Sequence, residues 1–250
     1  MTTNRTTCVL RLSGATGPVS DIAGSLLIPG SLRSCPPGVH HGGVQDLLQA
    51  WATLLARHST DRDADGVGAR LLASWSEPHR RYHSIGHLRD ILEHVEELAG
   101  YADDADAVRL AAWFHDSVYA GRPDDEELSA RRAEHDLARL GVAPQLVDEV
   151  ARLVRLTVSH HPAPGDHNGE VLSDADLAAL AVPRERYVQN TAAIRAEYAH
   201  IPDDAFRKGR QQVLVSLLEG PGVFRTDYAR REWEAAARDN LRAEFAALAD

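Results

Sequence analysis

Three short segments of the chain carry histidines and aspartates at a spacing that suits the binding of a metal ion. The first, "YHSIGH", places His83 and His87 four residues apart, which brings them to one face of a helix. The second, "AAWFHDSVYA", places His115 directly before Asp116 inside an apolar stretch. Burying an ionised carboxylate costs several kcal/mol unless the group is paired or binds a metal. The pair therefore indicates metal ligands or, as the simpler alternative, two polar residues that face a loop.

The third segment, "VLSDADLAALAV", has two aspartates at the expected start of a short apolar helix. Two interpretations are open for it. Ser173 or Asp174 would serve as the N-cap, with Asp176 in the first turn, where the helix dipole favours negative charge. Alternatively, Asp176 joins the histidines of the other two segments as a metal ligand.

These segments occur in the order histidine, His-Asp pair, aspartate, each on a separate predicted helix. In this order they resemble the HD-domain superfamily of metal-dependent phosphohydrolases. Further segments are similar to one bacterial branch, the predicted metal-dependent HD phosphohydrolases: "EPHRRYHSIGH", "EELSA", "LTVSHH", "IRAEY" and "AARDNL". The resemblance runs from about residue 45 to the C-terminus. That branch often has an Asn-Glu pair before "SA", where this chain has Asp125 and Glu126, so the substrate specificity stays open.

The resemblance implies a metal site and a reaction. The implied metal ligands are His87, His115, Asp116 and Asp176. The implied activity is hydrolysis of a phosphoester or phosphoanhydride in a nucleotide or another small phosphorylated metabolite. In that reaction a metal-bound water is the nucleophile, and His83 is the general acid that protonates the leaving group. Asp116 would also be catalytic, because it could bridge to a second ion.

Two imidazoles and two carboxylates form a donor set of intermediate hardness. Such a set suits Mn²⁺, Fe²⁺, Zn²⁺ or Mg²⁺, and the sequence does not choose among them. We expect one or two divalent ions.

Other residues could contact the substrate. Arg81, and equally Arg80, could hold a phosphate with two hydrogen bonds, although Arg80 could also lie exposed at the surface. His160 could contact phosphate or a second ion, or it could cap a helix end. Asp174 is a weaker candidate for the substrate side of the site. "IRAEY" leaves contact with substrate and a structural role both open for Arg195, Glu197 and Tyr198.

The elements that must position these residues are predicted to be helices. Leu47, Trp51, Leu54 and Leu55 recur at the spacing of one helix face, and the same pattern returns three times further along the chain. No stretch shows sustained strand alternation. We predict an all-α fold with a single HD-type domain of nine or ten helices over residues 44–250. Residues 1–43 are rich in Gly, Ser and Pro, and we predict a disordered or irregular leader there, or a short strand pair.

Composition narrows the possible partners. The 250 residues carry a formal net charge of −10, which argues against a general nucleic-acid binder or a protein of anionic membrane surfaces. It does not exclude a small anionic substrate, because a metal supplies local positive charge. The two cysteines form no CxxC pair, and no apolar run approaches a membrane span. We expect a cytoplasmic protein, and the oligomeric state stays open.

Two alternative functions compete with hydrolysis on the same fold. A di-iron oxygenase of the HD type would need additional histidines between the His-Asp pair and the last aspartate. A catalytically silent module would bind a metal or a nucleotide without turnover, but it would have no use for an acid such as His83 one turn from a ligand.

Overall fold

The computed structural model describes residues 43–249 and contains eleven α-helices within them. They are α1 (Val44–Leu55), α2 (Ala64–Trp75), α3 (Ile85–Leu98), α4 (Ala105–Phe114), α5 (Asp125–Arg139), α6 (Pro144–Leu156), α7 (His167–Leu177), α8 (Arg184–Glu197), α9 (Asp203–Glu219), α10 (Asp227–Glu232) and α11 (Glu234–Ala249). Short 3₁₀ turns follow α3 and α7. The described residues contain no strand, so the prediction of an all-α fold is confirmed. The count exceeds nine or ten because the six-residue α10 is separate from α11.

The predicted leader falls almost wholly outside this range. Residues 1–42 lie outside the described residues, so the leader and the alternative strand pair stay predictions. The helical part begins at Val44. None of the helices in residues 43–249 is both long enough and apolar enough to cross a bilayer.

Helix α4 runs through the centre of the main hydrophobic core. Seven of its ten residues are buried, and it packs against α3, α5, α6 and α7. A helix that is apolar on nearly all sides belongs in the middle of a fold. The segment that follows α4 therefore lies in the interior, and it begins with His115 and Asp116.

Helix α8, unlike α4, has few buried residues. Only Tyr187 and Ile194 of its fourteen residues are buried. Near its end, Ile194 and Tyr198 pack with Tyr82 and Phe206 in a small separate cluster. The helix therefore lies at the surface, close to the segment that precedes α3.

The close approach of α1 and α2 depends on Gly68, and its substitution gives a first prediction. A Cβ at this position would overlap the indole ring of Trp51, which is fully buried. We expect Gly68→Ala to lower the free energy of unfolding by about 1–3 kcal/mol through overpacking, measured by urea denaturation. Gly100→Ala is the matched control, because a Cβ there meets no atom within 4 Å. Equal stability of the two variants would contradict the prediction.

Candidate metal centre

Three buried side chains from three helical regions converge at one point. His87 comes from α3, His115 follows the last residue of α4, and Asp176 comes from α7. One potential ligand atom from each lies within 4.8 Å of the others. His87 Nε2 is 3.1 Å from Asp176 Oδ1 and 3.4 Å from His115 Nε2. The structure thus brings together three of the four expected metal ligands.

The ring of His115 is oriented by its own helix. Its Nδ1 lies 2.9 Å from the carbonyl oxygen of Ala112. Because a carbonyl can only accept, Nδ1 carries the proton and Nε2 turns a lone pair toward the cluster. This is the usual support for a metal-binding histidine. The indole of Trp75 packs against the ring of His115 with a centroid distance of 5.3 Å.

Asp116 lies beside the cluster and does not belong to the set of three. Its Oδ2 is 3.4 Å from His115 Nε2 and 4.0 Å from His83 Nε2. The carboxylate therefore stands between the cluster and His83. Its role as a fourth ligand stays a prediction.

The donor set fits a metal ion. At metal–ligand distances of about 2.0–2.2 Å, neighbouring ligand atoms lie roughly 3.0–3.5 Å apart. The two distances from His87 Nε2 fall in this range, while His115 Nε2 and Asp176 Oδ1 are further apart, at 3.9 Å. Asp176 Oδ1 is buried, yet no donor among the described residues meets it at hydrogen-bonding geometry. Such a buried, unsatisfied acceptor calls for a partner. The cluster of His87, His115 and Asp176 could hold a metal ion.

The protonation of the cluster follows from burial and from charge. Burial raises the pKa of Asp176, but the surrounding histidines lower it more, so the net pKa lies well below its usual range. Burial lowers the pKa of His87, but the neighbouring Asp176 raises it overall. The carboxylate is therefore anionic at neutral pH, as a metal ligand must be.

His160 joins this group, whereas His161 does not. His160 is buried, and its Nε2 lies 3.4 Å from Asp176 Oδ2. Its backbone has a φ of 50°, a left-handed conformation that is uncommon outside glycine. Burial lowers the pKa of His160, and its buried Nδ1 has no hydrogen-bond partner among the described residues. His161 is exposed and bonds back to the carbonyl oxygen of Ser159.

His83 stands one turn before His87 and is held by a carboxylate. Its Nδ1 lies 2.7 Å from Glu197 Oε2, and its ring stacks on Tyr119 at a centroid distance of 4.3 Å. With Nδ1 engaged by Glu197, Nε2 is the ring nitrogen on the side of Asp116. The side chain of His83 is almost completely buried.

Glu197, whose role the sequence leaves open, is the residue that holds His83. Its Oε1 accepts hydrogen bonds from three consecutive backbone N–H groups, those of residues 81–83. The hydroxyl of Tyr119 donates to Oε2 at 2.9 Å. Burial raises the pKa of Glu197, but the bond to His83 and the backbone donors lower it, to about 2 overall. The carboxylate is thus ionised at neutral pH and fixes both the position and the ring orientation of His83.

Arg80 is not exposed, so the surface interpretation of this residue is wrong. Its Nη1 donates to the carbonyl oxygens of His83 and Asp116, at 3.1 and 2.8 Å. The guanidinium also packs over the rings of Trp75 and Tyr119. Arg80 therefore ties the segment before α3 to the segment after α4. Arg81 is exposed and contributes its backbone N–H to Glu197, so its contact with phosphate stays a prediction.

Asp174 has a structural role, and the prediction that Ser173 or Asp174 caps a helix is wrong. Both residues lie inside α7, whose N-cap is Asp166. The carboxylate of Asp174 accepts hydrogen bonds from the backbone N–H groups of Arg225 and Thr226 and from the Thr226 hydroxyl. Burial raises the pKa of Asp174 to about 6 although these donors lower it. The residue anchors the loop before α10 to the helix that carries Asp176.

A cleft of about 200 Å³ opens onto the cluster between α3 and α8. Its lining includes His87 and Asp176, with Asp90, Arg186 and Asn190 further out. A larger groove of about 540 Å³ is lined by residues of α1, α3 and α4 and contains none of the cluster residues. We assign the smaller cleft to the site, because it alone of these two reaches potential metal ligands.

The fold and the site define an all-α protein with a buried cluster of two histidines and one aspartate that could hold a metal ion. No family model, no curated protein and no solved structure matches the chain.

Proposed function

We propose that this protein is a metal-dependent phosphohydrolase that cleaves a phosphoester or phosphoanhydride of a nucleotide or a similarly small phosphorylated metabolite. One observation carries the proposal. A buried cluster able to hold a metal ion lies beside a second, separately held histidine, His83, whose free ring nitrogen is 4.0 Å from Asp116. The resemblance of the sequence to the HD-domain superfamily supports the same class of activity.

The parts of the site have distinct roles in this proposal. His87, His115 and Asp176 would hold the ion, with Asp116 at its edge. When bound, the ion would neutralise charge on the phosphoryl group and lower the pKa of water. His83 would act as the acid in its doubly protonated form: Nδ1–H donates to the Glu197 carboxylate, and the proton on Nε2 passes to the leaving oxygen, which leaves a neutral imidazole. The bond between phosphorus and the leaving oxygen breaks as water adds to phosphorus.

Burial strengthens these interactions. His83, His115, Asp116 and Asp176 are all nearly inaccessible to solvent, and aromatic rings pack around them. Electrostatic attraction is stronger where water is excluded. The arrangement therefore favours a small charged substrate over a polymer that would need an open groove.

Glu197→Gln is expected to lower kcat by about 10- to 100-fold while leaving metal content unchanged. Glutamine keeps an acceptor for the backbone N–H groups of residues 81–83 but loses the charge that orients His83. Steady-state kinetics and mass-spectrometric metal analysis check this prediction. Glu185→Gln, an exposed change near the start of the same helix, is the control. A loss confined to KM, or a loss of metal, would contradict the positioning role.

The hydrogen bonds from the backbone N–H groups of residues 81–83 to Glu197, here called the clamp, depend on pH because Glu197 ionises. The pKa of Glu197 in the fold is about 2, below its ordinary 4.5. A depressed carboxyl pKa contributes stability above the ordinary value, and that stability disappears as the pH falls through the folded value. The clamp on residues 81–83 therefore weakens between about pH 4.5 and pH 2.

One observation favours a second candidate function, the di-iron oxygenase of the HD type. That chemistry needs more histidines near the cluster, and His160 supplies one beside Asp176. The adjacent His161 does not reach the cluster and bonds to Ser159, so we rank the oxygenase second.

The deciding experiment combines metal analysis with a substrate screen. The protein is stripped of metal, reloaded separately with Mn²⁺, Fe²⁺, Zn²⁺ and Mg²⁺, and assayed for phosphate release from a panel of phosphorylated metabolites. Metal-dependent release from a small phosphoester or phosphoanhydride is the expected result. Two irons per chain with oxygen uptake would favour the oxygenase. Metal and nucleotide binding without release under any metal would favour a silent module.

A further inference from the structure

Two contacts between α3 and α8 differ chemically at the two ends of this helix pair. At one end, Glu197 from the last turn of α8 holds His83 just before α3, and neither residue lines the cleft. At the other end, Arg186 from the first turn of α8 reaches Asp90, which is three residues beyond His87 on α3. The two helices therefore run antiparallel along the cleft. His87 and Asp176 lie between the two ends, on the lining of the cleft.

Arg186 is the only arginine or lysine among the described residues that line this cleft. Its Nη2 lies 3.4 Å from Asp90 Oδ2, and its Nε donates to Asn190 Oδ1 at 3.3 Å. Asn190 therefore steadies the guanidinium from the same helix. Asp90 lies one turn from His87 on α3, and Arg186 lines the same cleft as His87 and Asp176.

The ion pair with Asp90 is easily exchanged. The Arg186 and Asp90 side chains are 56% and 50% exposed, and their separation is long for a charge-assisted hydrogen bond. Exposed pairs of this kind contribute little to stability. An anionic group of a ligand can therefore replace Asp90 at small cost, and a phosphate group matches the guanidinium with two parallel hydrogen bonds.

We propose that Arg186 determines specificity for a second anionic group on the substrate. This inference rests on the proposed function and deepens it. The reacting phosphoryl group would lie beside the cluster of His87, His115 and Asp176. The bond that breaks joins its phosphorus to the ester oxygen of the organic group, and this oxygen takes the proton of His83. The second phosphoryl group stays attached through the bridging oxygen and extends along the cleft to Arg186, which exchanges Asp90 for it, so the product that leaves with both phosphorus atoms is pyrophosphate. The ligand class is a diphosphate, not a simple phosphomonoester.

Binding of inorganic pyrophosphate and inorganic phosphate separates this inference from the proposed function. Both anions are titrated calorimetrically into the metal-loaded His83→Gln protein, which is not expected to turn over pyrophosphate. We expect pyrophosphate to bind about tenfold more tightly than phosphate, as two charge-assisted hydrogen bonds allow. Adding Arg186→Gln is expected to abolish that preference and to leave phosphate affinity within about twofold.

Two further variants test the role of the ion pair. Asp90→Asn is expected to strengthen pyrophosphate binding, because it removes both a competing partner and a negative charge. Arg207→Gln, an exposed arginine on α9, is the matched control and should change nothing. If Arg186 had a purely structural role, Arg186→Gln and Asp90→Asn would both weaken pyrophosphate binding.

The outcomes are distinct for the two proposals. An Arg186-dependent preference for pyrophosphate, without release of phosphate or pyrophosphate from any compound, supports the role of Arg186 and contradicts the hydrolase. Hydrolysis combined with equal effects of Arg186→Gln on both anions, or with no preference for pyrophosphate, overturns the role of Arg186. Failure of both anions to bind the metal-loaded protein overturns it as well.

Discussion

Asp176→Asn is expected to abolish stoichiometric metal binding and to reduce phosphohydrolase activity by about a hundredfold, the upper end of the loss caused by changing residues that only support ligands. Asp176 is the only carboxylate in the cluster of three, and it is anionic because its surrounding histidines lower its pKa. Asparagine has nearly the same shape, so packing against α3 and α4 is preserved. What disappears is the negative charge that balances the ion and the anionic oxygen that binds it.

Metal content, measured by mass spectrometry after dialysis, is the direct test of this variant. Thermal unfolding without added metal shows that the fold is retained. Asp204→Asn is the control, since that carboxylate is 96% exposed on α9. Full metal occupancy in the Asp176 variant would remove the cluster from the proposed mechanism. Loss of metal with undiminished activity would contradict the metal-dependent reaction itself.

His83→Gln is expected to keep the metal and to lose turnover by about 10²–10⁴-fold, the usual contribution of a general acid. His83 is outside the cluster of three. It contacts Glu197, Tyr119 and the Asp116 side of the site, and its ring meets that of His87 edge-on at a centroid distance of 5.7 Å. Glutamine can still bond to Glu197 but cannot deliver a proton at neutral pH. The loss of turnover should be smaller for a substrate with a good leaving group, because such a group departs with less help from protonation.

His135→Gln is the control for this variant, because that imidazole is 74% exposed on α5. If His83→Gln loses the metal while His87→Gln retains it, the two assignments are exchanged. A small effect on every substrate, whatever its leaving group, would remove the acid role altogether.

The sequence predicts the cluster better than its surroundings, and the reason is physical. His115 lies in an apolar stretch, where a polar residue is costly and therefore noticeable, whereas His87 and Asp176 are implied as ligands by the resemblance. Glu197 lies on a mostly polar helix in which an acidic residue is ordinary. Its partner His83 is 114 residues away in sequence, so only the tertiary fold reveals the pair.

Arg80 and Asp174 show a second limit of sequence interpretation. Both are charged residues that ordinarily lie at the surface or at a helix end. The fold buries them because each binds backbone groups that would otherwise be unsatisfied. His160 and His161 are equivalent in sequence, and a single left-handed residue decides which one points inward. None of these outcomes follows from hydrophobic periodicity, which predicts helices and says nothing of such contacts.

The sparse anchoring of α8 makes its attachment the weakest part of the site. With two buried residues in fourteen, this helix should open by local fluctuation at a lower free energy than α4, which is nearly all interior. Opening would withdraw Glu197 and Arg186 together and leave the three potential ligands in place. Amide hydrogen exchange should therefore be faster in α8 than in α4. On mild warming, such a protein would stop working while still carrying its metal, and inactivation would precede global unfolding.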